Sequence, residues 1–327
     1  MRHLISLKEQ TSKDLLTILE MARKLKLERK KGLLKNYLPS KTLIMLFQKT
    51  STRTRLSFEA AMTELGGHAI FLDARTSQFS LSDFGDEIKA VMRYGNLLMF
   101  RAQKSESVEK AALYNQIPVI DGCSEKYHPC QALGDILTMT EYSGGLKKVG
   151  KVAWLGIENN VSNTLKLACA KLGIKITIIS PEQDPASFDK ELDKQAEKSG
   201  NITKTKDIKK GLLGANYIHT DTWMNMEFFF PQGGPAYGGE SKVKPEFEKE
   251  YQRRIKIFKP YQLNAKLIDR FAPRAKIMHC MPCHVGYEIT RDAIDHKSSI
   301  IFDQAENRLH IQKATIMWLL GKEKMVL

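Results

Sequence analysis

The chain has 327 residues, of which 42% are hydrophobic and 27% charged. This composition is typical of a globular protein with a sizeable core and excludes an intrinsically disordered chain, while the length favours two domains over one. No apolar run reaches the roughly 18–20 residues that span a bilayer, and the first 30 residues lack the apolar stretch of a secretory signal. We therefore expect a cytoplasmic protein without a membrane partner.

The formal net charge is +14, which raises the possibility of nucleic-acid binding. The lysines are nevertheless spread along the chain, and their local clusters at 23–31 and 204–210 are not interleaved with aromatic residues. We interpret them as solvated faces and predict no nucleic-acid partner. A basic surface would also help to attract an anionic substrate.

Hydrophobic patterning in the first half of the chain predicts alternating helices and strands. Apolar residues at 15–25 recur at helical spacing, and Thr11 or Ser12 can cap that helix. A second helix is expected to end at Gly66-Gly67, and a third spans 130–142. The predicted strands are 41–47, 68–72, 97–100 and 118–120.

The second half repeats this alternation. A turn at 156–160 and a helix at 162–172 follow its first strand, and a helical segment at 307–320 comes near the end of the chain. The predicted strands are 152–155, 174–179, 217–220, 276–278 and 300–302. The pattern predicts an α/β protein with two doubly wound parallel-sheet domains and an active site in the cleft between them. We expect one domain at 1–145, completed by the C-terminal helix at about 307–327, and the other at 146–306.

The segment Ser51-Thr52-Arg53-Thr54-Arg55 lies between a predicted strand and a predicted helix. A helix N-terminus offers free N–H groups and a positive dipole end, so hydroxyls and a guanidinium there can hold a phosphate. The alternative interpretation is a simple Ser/Thr cap before a solvated helix.

Two further segments come directly after predicted strands, His128-Pro129-Cys130-Gln131 and His279-Cys280-Met281-Pro282. Strand ends of this kind line the ligand crevice of an open α/β sheet. Cys280 and Cys283 also have a CxxC spacing, which leaves zinc or redox chemistry as an alternative. A zinc site would need a second pair at similar spacing, which the chain lacks, so we predict no metal and no cofactor.

Together these three segments resemble, in order and spacing, three signatures of the aspartate/ornithine carbamoyltransferase superfamily. The segment at 303–310 (DQAENRLH), the turn at 156–160 (GIENN) and Asp221-Thr222-Trp223 resemble its ornithine branch, so the resemblance extends over about residues 4–313. Cys280 after the histidine is typical of that branch. Gln78 stands where the aspartate branch has a lysine.

The resemblance implies transfer of a carbamoyl group from carbamoyl phosphate to ornithine. The phosphate would be held by Ser51, Thr52, Arg53 and Thr54, by Arg101, and by Gln78 from a neighbouring subunit of a homotrimer. His128, Gln131 and Arg308, with the carbonyl groups of Cys280 and Met281, would bind the carbamoyl group. No covalent nucleophile is implied, because the site positions two substrates and stabilises a tetrahedral oxyanion.

On the acceptor side, the resemblance implies that Asn160, Asp221, Asn225 and Met226 bind ornithine. Asp221 and Cys280 would orient the amine and assist its loss of a proton, which places them with Arg101 and His128 among the expected catalytic residues. The chain departs from the family at Asn225 and Glu227, which replace a serine and a glycine. Its segment at 227–278 is also longer than usual, and this segment either remodels the lid or only decorates the surface.

Two alternatives to transfer to ornithine stay open. In one, suggested by these departures, the acceptor would be another amine such as putrescine, although Asn160 favours an α-amino acid. In the other, the chain would be a non-catalytic phosphate-binding relative, although Arg53, His128 and Arg308 are all present. The direction is also open, because the resemblance implies that one site would serve both citrulline synthesis and its phosphorolysis.

Overall fold

The computed structural model describes residues 1–230 and 242–327, so part of the long segment at 227–278 lies outside the described residues. The strands are β1 (Thr42–Phe47), β2 (His68–Asp73), β3 (Leu97–Arg101), β4 (Val119–Asp121), β5 (Lys151–Leu155), β6 (Lys175–Ile179), β7 (Ile202–Thr205), β8 (Tyr217–Thr220) and β9 (Lys276–His279). The helices are α1 (Ser12–Lys30), α2 (Thr52–Glu64), α3 (Phe84–Met92), α4 (Ser105–Leu113), α5 (Pro129–Ser143), α6 (Asn160–Leu172), α7 (Lys190–Glu197), α8 (Ile208–Leu212), α9 (Glu248–Phe258), α10 (Ala265–Phe271), α11 (Arg291–Ile294) and α12 (Ile301–Leu319).

The first sheet is parallel, with strand order β2-β1-β3-β4. Successive residues of a strand point to opposite faces of its sheet. In β1, Leu43 and Met45 belong to one apolar cluster, whereas Ile44 and Leu46 belong to another. Both faces of this sheet are therefore covered, as a doubly wound arrangement requires.

The second sheet is also parallel, with strand order β7-β6-β5-β8-β9. In β5, Val152 and Trp154 pack into the apolar cluster that also contains Leu43 and Met45 of the first sheet. Residues of the other face of β5 join a separate cluster. The predicted fold of two parallel α/β sheets is confirmed, and one apolar cluster connects the two halves.

Helices α5 and α12 lie at the junction of the halves. Helix α12 packs against α5, α1 and α2, and α5 also packs against α6. The predicted strand at 300–302 is wrong, because Ile300 is the N-cap of α12 and the helix starts at Ile301. Only an isolated bridge between Ile277 and Ser299 extends the sheet there. A three-residue apolar run fits a buried helix start as well as a strand, which explains the error.

Among residues 1–230 and 242–327, no helix combines the length and the apolar character that a bilayer-spanning segment needs. The parallel strands place the carboxyl ends of β1, β3 and β4 at one edge of the first sheet. The carboxyl ends of β5, β8 and β9 lie at the corresponding edge of the second sheet. These edges are where open α/β sheets bind ligands.

Candidate active site

The N-terminus of α2 carries the predicted phosphate-binding segment. Ser51 is the N-cap, and its Oγ accepts a hydrogen bond from the Thr54 backbone N–H at 3.3 Å. Ser51 Oγ also donates to Thr54 Oγ1 at 2.9 Å, while Thr52 is exposed. No acidic residue lies in the first turn of α2, so the positive end of the helix dipole is not neutralised locally. The cap interpretation and the anion-site interpretation are therefore compatible.

Three guanidinium groups gather beside this helix start. Arg308 from α12 is 3% exposed and donates to Thr54 Oγ1 at 2.8 Å. Burial, then the positive charges of Arg101 and Arg53, lower the pKa of Arg308 to about 10. Arg101, at the end of β3, is 8% exposed. Within the described residues, none of the three arginines forms a salt bridge with a carboxylate. An anionic ligand would relieve this mutual repulsion.

His128 and Gln131 stand at the start of α5, next to these arginines. His128 is the N-cap residue, but its ring makes no capping hydrogen bond, and Pro129 occupies the first helical position. Burial, then Arg308 and Arg101, hold the pKa of His128 well below its usual value, so the ring is neutral at pH 7. In the described part of the chain, buried polar atoms without a hydrogen-bond partner include Arg101 Nε, His128 Nδ1, Gln131 Oε1 and Arg308 Nε.

Orphaned buried polar atoms of this kind cost roughly 1–3 kcal/mol each when no partner satisfies them. They come from the end of β3, the start of α5 and the middle of α12. Such a cluster is typical of a preformed site whose polar partner is a ligand. The unpaired atoms include both donors and an acceptor, so the matching ligand carries oxygen acceptors and an N–H donor.

Across the junction, Asp221 follows β8 and Cys280 follows β9. The Cys280 thiol donates to Asp221 Oδ1 at 2.9 Å, and Asn159 Nδ2 donates to Asp221 Oδ2 at 2.7 Å. Asn159 also caps α6 through its Oδ1, which accepts from two backbone N–H groups, so its amide orientation is fixed. Burial and the Asp221 charge raise the pKa of Cys280. Cys280 is therefore a neutral thiol that donates a hydrogen bond, and the Asp221 carboxylate accepts it.

Asp221, His279 and Cys280 each bring one possible metal ligand to within 4.8 Å of the other two. His279 Nδ1 accepts from the Met281 backbone N–H at 2.8 Å, and its Nε2 contacts Glu288 Oε1 at 3.0 Å. Both ring nitrogens are thus engaged, which leaves the group without a free imidazole ligand. The hydrogen bond to His279 instead shapes the turn in which Met281 has a left-handed φ of 59°.

Asn160, Asn225 and Met226, the other expected acceptor-binding residues, form no side-chain hydrogen bonds with one another of the kind that joins Asp221 and Cys280. Asn160 begins α6, and its Nδ2 donates to Ser124 O at 2.8 Å and to Cys123 Sγ at 3.2 Å. Asn225 donates from Nδ2 to Asp184 Oδ2 at 3.2 Å. Met226 is 48% exposed. Asn160 therefore bridges the two halves, whereas the side chain of Asn225 links the loop after β8 to Asp184 in the loop after β6.

Among the described residues, the side chain of Gln78 forms no hydrogen bond with another expected site residue. It is exposed on a short 3-10 turn after β2, the edge strand of the first sheet. A groove of about 520 Å³ opens beside the start of α2, with Ser51, Thr52, Phe71 and Arg75 among its lining residues. The groove reaches the phosphate side of the site only, and neither Asp221 nor Cys280 lines it.

The sequence interpretation missed residues that hold the site from behind. Asn159 orients Asp221, and Asp135 and Gln304 contact Gln131 and the backbone of His279. Helical spacing could have indicated two of them. Asp135 is four residues after Gln131 on α5, and Gln304 is four residues before Arg308 on α12, so each shares a helix face with a predicted site residue.

Two family models together match most of the chain. Residues 2–141 match the carbamoyl-P binding domain of aspartate/ornithine carbamoyltransferases, and residues 148–319 match the Asp/Orn binding domain. The chain is 41% identical to an ornithine carbamoyltransferase of Archaeoglobus fulgidus, with 100% of both chains covered. It is 39% identical to one of Pyrococcus abyssi, with 99% of this chain and 97% of that one covered. Among solved structures, an ornithine carbamoyltransferase from Pyrococcus furiosus aligns with a TM-score of 0.85 at 37% identity, covering 98% of this chain and 97% of that one.

Proposed function

The chain belongs to the aspartate/ornithine carbamoyltransferase family, and on that basis we propose that it transfers the carbamoyl group of carbamoyl phosphate to the side-chain amine of L-ornithine. The products are citrulline and phosphate, and the same site runs the reverse phosphorolysis. The observation that carries this proposal is the juxtaposition of two groups of residues. Arg101 and Arg308 form an unneutralised cationic cluster at the start of α2, and it faces the Asp221–Cys280 pair across the junction of the two sheets.

The phosphate of carbamoyl phosphate binds at the start of α2. Its oxygens accept hydrogen bonds from the backbone N–H groups and hydroxyls of residues 51–54 and from the guanidinium groups of Arg53 and Arg101. Gln78 of a neighbouring subunit completes this half of the site. The open groove beside Ser51 and Thr52, next to the edge strand β2, supports this shared arrangement, because it leaves room for a neighbouring loop.

The carbamoyl group lies between the two halves. Arg101, His128 and Arg308 donate to its carbonyl oxygen, and Gln131 with the carbonyl groups of Cys280 and Met281 accepts from its amide. Because His128 is neutral, it donates from one ring nitrogen without adding a charge that would compete with the arginines. Donors aimed at this oxygen stabilise the oxyanion of the tetrahedral intermediate more than the flat carbonyl group.

The amine of ornithine is the nucleophile. Asp221 and Cys280 orient it, and Asn160, Asn225 and Met226 hold the amino-acid end of the substrate. Its lone pair forms a bond to the carbonyl carbon, the oxyanion collapses, and the bond from that carbon to the phosphate oxygen breaks. The departing phosphate takes the electron pair of that bond and a proton from the amine, so no covalent enzyme intermediate and no metal are needed.

We further propose that the chain works as a cytoplasmic homotrimer. One domain would span residues 1–145, completed by the C-terminal helix, and the acceptor-binding domain would span 146–306. The packing of α12 against α1, α2 and α5 supports the assignment of that helix to the first domain.

An acceptor panel tests the function. The chain is incubated with carbamoyl phosphate and ornithine, putrescine, lysine or N-acetylornithine, and phosphate release is measured. We expect ornithine to give the highest kcat/KM. Putrescine is the second candidate, because Asn225 is bound to Asp184 and therefore offers less to an α-carboxylate. Activity with putrescine well above that with ornithine would replace the acceptor assignment. Release that no amine stimulates would overturn the transfer itself.

A further inference from the structure

Behind the site lies a chain of hydrogen bonds among fully buried side chains. Gln131 Nε2 and Gln304 Nε2 both donate to Asp135 Oδ1, at 2.8 Å and 2.6 Å. The backbone N–H of His279 donates to Gln304 Oε1 at 2.8 Å. Asp135 and Gln304 are 0% exposed and Gln131 is 1% exposed, so bulk water cannot substitute for a missing partner. The chain connects β9, α12 and α5 in one line.

Only one assignment of donors and acceptors is consistent along this chain of hydrogen bonds. The backbone N–H of His279 can only donate, so the atom of Gln304 that faces it is the oxygen Oε1. The Nε2 group of Gln304 is thereby turned toward Asp135, whose carboxylate oxygen accepts. Gln131 meets the same oxygen and must present its Nε2 group to it. Its Oε1 then faces away from Asp135.

Gln131 Oε1 is the free end of this line, because it is buried and lacks a hydrogen-bond partner among the described residues. A buried amide oxygen of this kind is satisfied by a ligand N–H and left unpaired by a ligand methyl group. A carbamoyl group presents –NH₂ where the equally sized acetyl group presents –CH₃. The orientation of one amide therefore distinguishes two acyl phosphates of nearly the same shape.

We propose that Asp135 is a positioning residue that fixes the Gln131 amide and so makes the site select carbamoyl phosphate over acetyl phosphate. The inference rests on the proposed function, since it names the atom that recognises the donor substrate of the reaction. Asp135 touches neither substrate and acts only through Gln131 and Gln304. Without the carboxylate, the Gln131 amide can rotate and offer its –NH₂ group to the ligand instead.

A purely structural role for Asp135 is the competing explanation. Its Oδ2 lies 3.2 Å from His219 Nε2, and His219 stacks on Trp154 with ring centroids 4.9 Å apart, so the carboxylate also helps to join α5 to the second sheet. Loss of a structural contact would weaken every ligand to the same degree. Loss of the amide orientation would weaken only the ligand that carries an N–H donor.

The test compares three ligands on the full chain and on Asp135→Leu, with dissociation constants measured by calorimetry. Leucine has a similar size and removes the oxygen that accepts from Gln131 and Gln304. Carbamoyl phosphate carries the N–H donor, acetyl phosphate lacks it, and inorganic phosphate carries no acyl group. We expect the preference for carbamoyl over acetyl phosphate to fall by about 10- to 100-fold in the variant. The affinity for inorganic phosphate should stay within about twofold of its value in the unaltered chain.

Thr138→Val is the matched control. Thr138 is a buried residue of α5, and its Oγ1 accepts from Asn307 Nδ2 of α12 at 2.9 Å, so this variant loses a contact between the same two helices without touching Gln131. It should keep the ligand preference. If Asp135→Leu does not fold, Asp135→Ala replaces it, because this change also removes the oxygen that accepts from Gln131 and should shift the preference in the same direction.

The outcomes separate this inference from the proposed function. An Asp135→Leu chain that keeps the preference, or that weakens all three ligands equally, overturns the positioning role while carbamoyl transfer by the unaltered chain stands. An unaltered chain that transfers carbamoyl groups but binds acetyl phosphate equally well overturns it too. Failure of the unaltered chain to transfer carbamoyl groups to any amine overturns the proposed function, and the transfer assay alone detects this.

Discussion

At the scale of single residues, the candidate site is held together by hydrogen bonds that fix which way each polar group faces. Asn159 caps α6 with one end of its amide and holds Asp221 with the other. The Cys280 thiol donates a hydrogen bond to the other oxygen of the same carboxylate. The proposed catalytic pair, Asp221 and Cys280, is therefore held from both adjoining strand ends before a substrate arrives, and such preorganisation lowers the entropic cost of reaching a transition state.

Arg53 gives the sharpest residue-scale prediction. Burial holds the pKa of Arg53 below its usual value, and Arg101 adds to this effect, so the guanidinium is desolvated and awaits an anion. We expect Arg53→Ala to lower kcat/KM by about 10²- to 10³-fold, the typical loss when one oxyanion-type donor is removed. Circular dichroism should show an unchanged fold. Arg23→Ala, which alters only an exposed pair with Glu20, should retain full activity. Near-normal transfer by Arg53→Ala would contradict the phosphate-binding assignment.

At the scale of secondary-structure elements, the loop after β8 depends on α9. Arg254 is 5% exposed and donates to Trp223 O at 2.8 Å and to Asp184 Oδ1 at 3.3 Å. Asp184 in turn accepts from Asn225 through its other oxygen. One buried guanidinium thus contacts the loop after β8 directly at Trp223 and, through Asp184, at Asn225.

We expect Arg254→Met to raise KM for ornithine by about tenfold, because the buried Asp184 carboxylate loses its cationic partner, which costs about 1–3 kcal/mol and loosens the loop. KM for carbamoyl phosphate should stay within about twofold. The neighbouring Arg253 shares Glu250 but is exposed, so Arg253→Met is the matched control. An equal rise in KM for both substrates, or an equal rise in KM for ornithine in the two variants, would show that α9 does not act through the loop after β8.

Helix α12 carries a pH-dependent contribution to stability. Burial, partly offset by a hydrogen bond to Glu306, lowers the pKa of His310 from 6.5 to about 4. Between these values the unfolded chain binds a proton that the folded chain does not. Stability is therefore lost as the pH falls from about 6.5 toward about 4, by up to about 3 kcal/mol.

A neutral replacement removes this contribution. In urea unfolding at a series of pH values, His310→Gln should lose less free energy of unfolding over that interval than the unaltered chain does. Parallel curves for the two proteins would contradict the assignment. His128, whose pKa is also lowered, remains in both proteins and cancels in the comparison.

Comparison of the predicted and observed elements shows which of them could be predicted from the sequence. Strands buried on both faces, such as β1 and β5, produced apolar runs that were predicted within a residue or two. Strand β7 was missed because it lies at the sheet edge and none of its residues is fully buried. The site residues next to strand ends were identified through motifs. Asp135 was not, because its function depends on a partner 169 residues away, Gln304.

At the scale of the whole molecule, the prediction concerns assembly. Gln78 is exposed on the turn after β2, and a groove opens beside the start of α2, where a neighbouring loop would enter. We expect the protein to sediment as a trimer with sites shared between subunits. Gln78→Ala and Arg53→Ala should each be nearly inactive as pure proteins.

Subunit mixing tests this arrangement directly. When the two inactive variants are unfolded, combined in equal amounts and refolded, random assortment should restore about a quarter of the sites, because a site with Arg53 from one chain and Gln78 from the next is then intact. Either variant refolded alone is the control. A monomer in sedimentation, or a mixture as inactive as its parts, would contradict shared sites.

The three tryptophans give the molecule a built-in optical reporter. Trp223 lies in the loop after β8, is 1% exposed and stacks on Phe258 of α9. Its emission therefore depends on how that loop packs against α9. Trp154 and Trp318 lie elsewhere, beside His219 and Arg2. With both of these changed to phenylalanine, the remaining indole fluorescence reports the arrival of the amine substrate, and stopped-flow recording times that step without an added label.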